Sequence, residues 1–253
     1  MKFNAIPFHA ALLACALIST GCGGNDGGGL KAPTATIDQA TAATLTGRVL
    51  FEGTPPPAKL VKVDADPVCA AHATEEKAEV TQEVVVTDGK LANVFVYVSK
   101  GVTGIYAPPA TAAVLDQQGC RYHPHVLGMV AGQKLQIKNS DPTLHNVHSS
   151  ARSNEAFNLA QASQGMVAEK TFTTEEVMIP VSCDVHGWMR SYIGVLTHPF
   201  FAVTPADGSF TITGLPPGRY TLTAWHERYG EKQQEIEVKA KETKDVSFSY
   251  KGS

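Results

Sequence analysis

The sequence predicts an all-β protein, and three observations carry that reading. Fifteen Pro and 22 Gly punctuate the 253 residues, and both residue types end strands or make turns. Between them run short stretches of period-two alternation, as in Val94, Val96 and Val98, the pattern of a strand with one buried face. Asp88-Gly89 separates two such stretches, and that dipeptide favours a hairpin turn. The length allows one large or two small domains with a sizeable core. Charged residues are 18% of the chain and the net charge is -3, so no basic face for nucleic acid is expected.

Residues 1–21 read as an export signal. Lys2 supplies a short basic start, and Ala10 to Ile18 an apolar run too short to span a bilayer. Ser19-Thr20-Gly21-Cys22 resembles a bacterial lipobox, which would make Cys22 the lipid-bearing first residue of the mature protein; ordinary cleavage leaving a free Cys22 is the alternative. Residues 22–43, Gly-rich and then Ala/Thr-rich, read as a lipid anchor and flexible linker.

A strand from Leu45 to Phe51 is stopped by Gly53-Thr54-Pro55-Pro56-Pro57, because proline cannot donate to a ladder. Between Val63 and Lys77 only a helical turn around Ala70 to Ala73 is expected, since Asp66-Pro67 and a polar tail deny a long helix. Strands follow at Glu83–Thr87, Leu91–Val98, Val126–Val130 and Lys134–Lys138, with a loop over Val102–Ala113 and a turn at Asn139-Ser140-Asp141-Pro142. The polar stretch from Ala151 to Lys170 reads as a long surface loop with one helical turn near Ala156–Ala160. Val177, Ile179, Val181 and Cys183 then fall on one face at period two, leading inward to a thiol.

That thiol opens the densest chemistry in the chain. Cys183, His186 and Met189 lie within seven positions, with His145 upstream at the start of an extended stretch that turns His148 to the other side. One thiolate, two imidazoles and a thioether form a soft, nitrogen-rich ligand set, which favours copper over zinc because zinc gains little from a thioether. Cys183-x2-His186-x2-Met189, preceded by His145-Asn146-Val147-His148, resembles the cupredoxins, and among them the amicyanins with their short gap before Met. The likeness extends back through Tyr122 and Val130-Ala131-Gly132 and forward through Arg190 and Ile193 to Leu196. Val185 and Gly187 depart from it, standing where proline is common. The resemblance implies a Greek-key β-sandwich over residues 91–198 and one type 1 copper held by His145, Cys183, His186 and Met189. It further implies that Asn146 ties the ligand loops together, and that His186 lies at a surface patch where Trp188 either docks a partner or lids the core.

Past His198-Pro199 the chain resembles another family. Asp207-Gly208-Ser209-Phe210-Thr211-Ile212 and Pro217-Gly218-Arg219-Tyr220-Thr221-Leu222 are similar to the carboxypeptidase regulatory-like, transthyretin-type module, which implies a second, smaller β-sandwich over 199–253. Residues 44–90 are expected to complete it, splitting that sandwich around the copper domain. With Cys183 on metal, Cys22 on lipid and Cys15 in the signal, Cys69 and Cys120 remain. In an oxidising compartment they suggest one disulfide; two buried thiols, or a second metal site of Cys120 with His123 and His125, stay open. The expected function is an exported, lipid-anchored electron carrier, not an enzyme, serving partners such as a cytochrome or dehydrogenase. The alternatives are a carbohydrate- or protein-binding sandwich with Trp225 and Tyr229 as its stacking surface, a copper-delivery protein, and a copper enzyme using His123, His125 or His148.

Overall fold

The computed structural model describes residues 1–2, 32–57, 59–63, 66–75 and 82–252. Most of the expected signal, the lipidation position Cys22 and the Gly-rich stretch after it lie outside the described residues. The first part of the chain forms β1 (Ala43–Glu52), α1 (Pro67–Glu75), β2 (Val86–Thr87), β3 (Lys90–Leu91) and β4 (Phe95–Lys100). The middle forms β5 (Ala113–Gln118), β6 (Arg121–His123), β7 (Val126–Val130), β8 (Lys134–Asn139), β9 (His145–Ser149), β10 (Phe157–Gln161), β11 (Val167–Thr171), β12 (Glu176–Ser182) and β13 (Arg190–Leu196). The last part forms β14 (Phe201–Val203), β15 (Ser209–Leu215), β16 (Gly218–His226), β17 (Gly230–Val238), β18 (Thr243–Asp245) and β19 (Phe248–Lys251). Among the described residues the protein is all-β apart from α1, and no helix is long and apolar enough to cross a membrane.

The strands build two sandwiches. In the first, sheets ordered β10-β9-β12-β13-β7 and β11-β8-β5-β6 share a core that includes Leu115, Tyr122, Leu135, Ile137, Val147, Phe172 and Ile193. In the second, β1 is the hub: it pairs antiparallel with β15 and β3, and parallel with β18 and β19. Its alternating Leu45, Val49 and Phe51 meet Val96, Leu222, Phe248 and Tyr250, some of them supplied by the sheet β14-β4-β16-β17. Residues 43–52, 86–100 and 201–251 thus share one sandwich, and residues 113–196 build the other.

Strand β4 corrects the expected boundary at residue 91. It pairs with β14 and β16, so the first sandwich begins only after Lys100. Its Val96 and Val98 face the second core, while Phe95 and Tyr97 join Val126, Met178 and Leu196 in a third cluster. A strand covered on both faces carries an apolar run instead of alternation, and the Val94-Val96-Val98 period hides this. Three other expectations change. The stretch read as a polar surface loop folds as β10 and β11, the edge strands of the two sheets. Val177 leaves the face of Ile179 and Val181, because the register shifts between Glu176 and Ile179, with Met178 at φ 60°. The end of the predicted tether is docked, with Thr34 and Ala35 bonding to the Ile105 carbonyl.

The two aromatics expected as a stacking surface are half-buried and each packs on rings of the protein itself. Trp225 packs on Tyr192 with ring centres 5.0 Å apart, and Tyr229 lies against Phe51 and His226. His226 is 1% exposed, and its Nε2 has no hydrogen-bond partner. Burial, only partly offset by Glu227, lowers its pKa from 6.5 to about 4. Between those values the unfolded chain binds a proton that the folded chain does not, so this residue's contribution is complete above pH 6.5 and is lost as pH falls toward 4. At ~1.4 kcal/mol per pH unit the loss approaches about 3 kcal/mol. Denaturant titrations at pH 7 and pH 4.5 should show that decline, and His226→Phe should flatten it by about one proton; an unchanged slope in the variant would refute the assignment.

Candidate metal centre

The site sits at one end of the first sandwich, where β9 begins and where β12 turns into β13. Ser182 pairs with Arg190, and the Cys183 amide donates to the Met189 carbonyl at 3.2 Å, closing the seven-residue loop between them. Within the loop the His186 amide donates to Cys183 Sγ at 3.3 Å, and the Met189 amide to the His186 carbonyl at 2.8 Å. These bonds turn the thiol and the imidazole toward one point. His145, the first residue of β9, completes it: its Nδ1 lies 2.9 Å from His186 Nδ1, and Cys183 Sγ lies 3.9 Å from that same His186 atom. One ligand atom each from His145, Cys183 and His186 fits within a 4.8 Å span. Met189 is 1% exposed and packs in the same apolar cluster as Cys183.

Asn146 joins the two ligand segments. Its Oδ1 accepts from the Asp184 amide at 2.8 Å and from Cys183 Sγ at 3.2 Å. His148, on the other side of β9, is half-exposed and pairs with Asp184 at 3.0 Å, away from the cluster. His125 pairs with Glu227 at the junction with the second sandwich, and exposed His123 contacts the Gln118 carbonyl. None of these three enters a metal-binding group among the described residues. Cys120 is bonded to Cys69 in a disulfide, which removes it from a site with His123 and His125.

Two carboxylates stand behind the imidazoles. Asp141, 2% exposed, accepts from His145 at 2.9 Å, and takes the Gly119 and Cys120 amides at 2.8 Å each. Asp66 reaches His186 Nε2 at 3.3 Å; it also accepts from Thr143 at 2.7 Å and from the Val68 amide at the start of α1 at 2.8 Å. A carboxylate on the far nitrogen fixes ring orientation and raises ligand basicity. Burial disfavours a proton on His145, but the Asp141 bond and then the Cys183 contact outweigh it and raise the pKa to about 9. Burial also disfavours the Cys183 thiolate; the His145 bond and neighbouring amides overcome that and lower the thiol's pKa. Burial and the adjacent charge of His145 lower His186. The pocket therefore eases loss of the Cys183 proton, and the thiolate is the form that binds metal.

His186 differs from the surface ligand that the cupredoxin likeness implies. It is 2% exposed, because α1 lies over its outer edge and brings Cys69 Sγ to 3.7 Å from Nε2. Trp188 completes the cover, its ring centred 5.0 Å from that of His186 and its Nε1 donating to the Cys120 carbonyl at 3.1 Å. Sequence reasoning missed Asp66 and Asp141 as partners of the site. Asp141, four residues before His145, offered a local signal; Asp66, 120 residues before His186, offered none.

The donor set suits copper. Two imidazole nitrogens and a cysteine sulfur converge in a buried pocket, with Met189 buried in the same cluster as Cys183, the composition of trigonal His2Cys sites with a weak axial Met. His145, His186 and Cys183 would hold the ion, with Met189 beside them.

Fold and site together define an all-β protein of two sandwiches with a buried Cys–His–His cluster. Residues 196–251 match the carboxypeptidase regulatory-like domain family. Similar solved structures are cupredoxins. A purple cupredoxin from Nitrosopumilus maritimus is 22% identical with TM-score 0.29, covering 33% of this chain and 98% of its own. A methionine-to-alanine variant of amicyanin, in its Cu(I) form, is 20% identical with TM-score 0.30, covering 40% and 97%. A copper-containing nitrite reductase from Thermus scotoductus SA-01 is 19% identical with TM-score 0.32, and the match spans 39% of this chain but only 25% of the reductase. No curated protein matches the chain.

Proposed function

We propose that this protein is a mononuclear copper protein carrying single electrons between redox partners in the cell envelope. The convergence of His145, Cys183 and His186 in a buried pocket, with Met189 buried in the same cluster as Cys183, carries the reading. Bound copper would supply one-electron chemistry by alternating between Cu(I) and Cu(II). The chain's contribution is a rigid pocket: Asn146 holds the two ligand segments together, and Asp141 and Asp66 orient the imidazoles. All four side chains are buried, from 0% to 2% exposed, which favours an electron carrier over an enzyme that must admit a substrate to the metal. The export signal and Cys22 would place the protein on an envelope membrane by a lipid anchor, facing partners such as a cytochrome or dehydrogenase.

The test is the visible absorption and EPR spectrum of the purified protein with one equivalent of Cu(II). An intense thiolate-to-copper band is expected, lost on reduction and absent in Cys183→Ser. A colourless protein, or one that prefers zinc, would refute the copper reading.

A further inference from the structure

The cover over the metal pocket is built from chain outside both sandwiches. Strand β1 ends at Glu52 and β2 begins at Val86; Asp66 and α1 belong to the chain between them and close over His186. The cover's buried apolar contribution to the adjoining core is Val63 and Cys69. Polar ties from its described residues to the metal sandwich include Thr143 to Asp66 at 2.7 Å, His186 to Asp66 at 3.3 Å, and the longer His72–Asp141 contact at 3.8 Å. A nine-residue helix is marginal by itself in water. The covalent tie is the Cys69–Cys120 disulfide, which pins α1 to the turn between β5 and β6, beside the amides that Asp141 holds.

Both cysteines are fully buried and one of them touches a ligand imidazole, so the bond is shielded from a reducing partner once it has formed. We propose that residues 66–72 are a one-way latch: copper enters while Cys69 and Cys120 are thiols, and disulfide formation then seals the pocket and seats Asp66 against His186. The inference rests on the copper reading above. In the closing step the two thiols lose two electrons and two protons as the S–S bond forms, and a disulfide-bearing exchange partner takes them up and leaves as a dithiol. The latch accounts for two features that copper ligation alone does not: a disulfide placed against a ligand, and a ligand imidazole turned away from solvent.

The test compares the full mature chain, with its disulfide intact, with Cys69→Ser/Cys120→Ser. In the metal-free proteins, iodoacetamide alkylation of Cys183 is followed by peptide mass; in the copper-loaded proteins, loss of the visible band to a chelator is timed. Both rates should rise at least tenfold in the double variant, and by a smaller factor in Asp66→Asn. If the double variant does not fold, the wild-type chain reduced with a phosphine and desalted under argon takes its place, with the same expectation. Equal alkylation rates in open and latched forms would overturn the latch, whatever copper does. Faster alkylation with no visible band in either protein supports the cover and counts against the copper reading alone.

Discussion

Asp141→Ala is expected to destabilise the protein by about 3–5 kcal/mol and to weaken metal binding at the same time. The carboxylate is buried and ionised, and it serves three donors: His145 and the Gly119 and Cys120 amides. Burial opposes its charge, but the His145 bond and the two amides outweigh that and keep its pKa below the ordinary value. Truncation leaves the donors facing a small apolar methyl. Each unsatisfied buried donor costs roughly 1–3 kcal/mol, and breaking a buried pair from one side costs about 3–5 kcal/mol in all. The turn it anchors carries Cys120, so the disulfide that holds α1 loses its base. Losing a carboxylate behind a ligand imidazole typically weakens metal affinity about 10–100-fold. Denaturant midpoints and copper titrations on Asp141→Ala and Asp141→Asn measure both effects. Asn keeps an acceptor oxygen and the volume, so it should fall between wild type and Ala. An Ala variant within about 1 kcal/mol of wild type would mean that the loops, not the carboxylate, position His145.

What the sequence made legible depended on distance along the chain. That Cys183 and His186 come together was readable because one loop carries them, and that His145 and not His148 joins them because strand parity separates the two. The strands around β12 showed their alternation, and the Asp88-Gly89 turn forms between β2 and β3. Long-range coincidences were not readable. Asp66 meets His186 only through the fold, and the sequence between Val63 and Lys77 gives no sign that its short helix lies on a metal pocket. β10 and β11 were missed for another reason: they are edge strands, and in β10 only Phe157 and Leu159 alternate inward within an otherwise polar stretch, too short a pattern to announce a strand. β4 was assigned to the wrong sandwich because both of its faces are covered, so its apolar content says that it is buried but not by what.

Gly47→Ala should unfold the second sandwich more readily, at a cost of about 3 kcal/mol or more, the upper part of the range for overpacking. Gly47 lies in the middle of β1 and pairs with Phe210 of β15. A Cβ there would lie 1.8 Å from the Val246 carbonyl oxygen and 2.7 Å from Phe210 Cζ. The ring tip can move, but the carbonyl cannot, because the neighbouring Val246 amide bonds to the Thr46 carbonyl at 2.8 Å and fixes the chain beside β1. Relief therefore requires β1 and the segment between β18 and β19 to separate, breaking the pairing that joins residues 43–52 to the C-terminal strands. Gly187→Ala is the matched control: its Cβ would meet no atom within 4 Å, so its effect should stay within about 0.5 kcal/mol even though it lies in the ligand loop. Denaturation followed by far-UV circular dichroism on the two variants separates the cases. Equal stability of Gly47→Ala and wild type would show that the Val246 backbone yields, and that β1 is held by its outer partners and not by this close approach. A large loss at Gly47 with Cys183 still protected from alkylation would show that the core around Ile137 and Ile193 closes the metal pocket without help from the second sandwich.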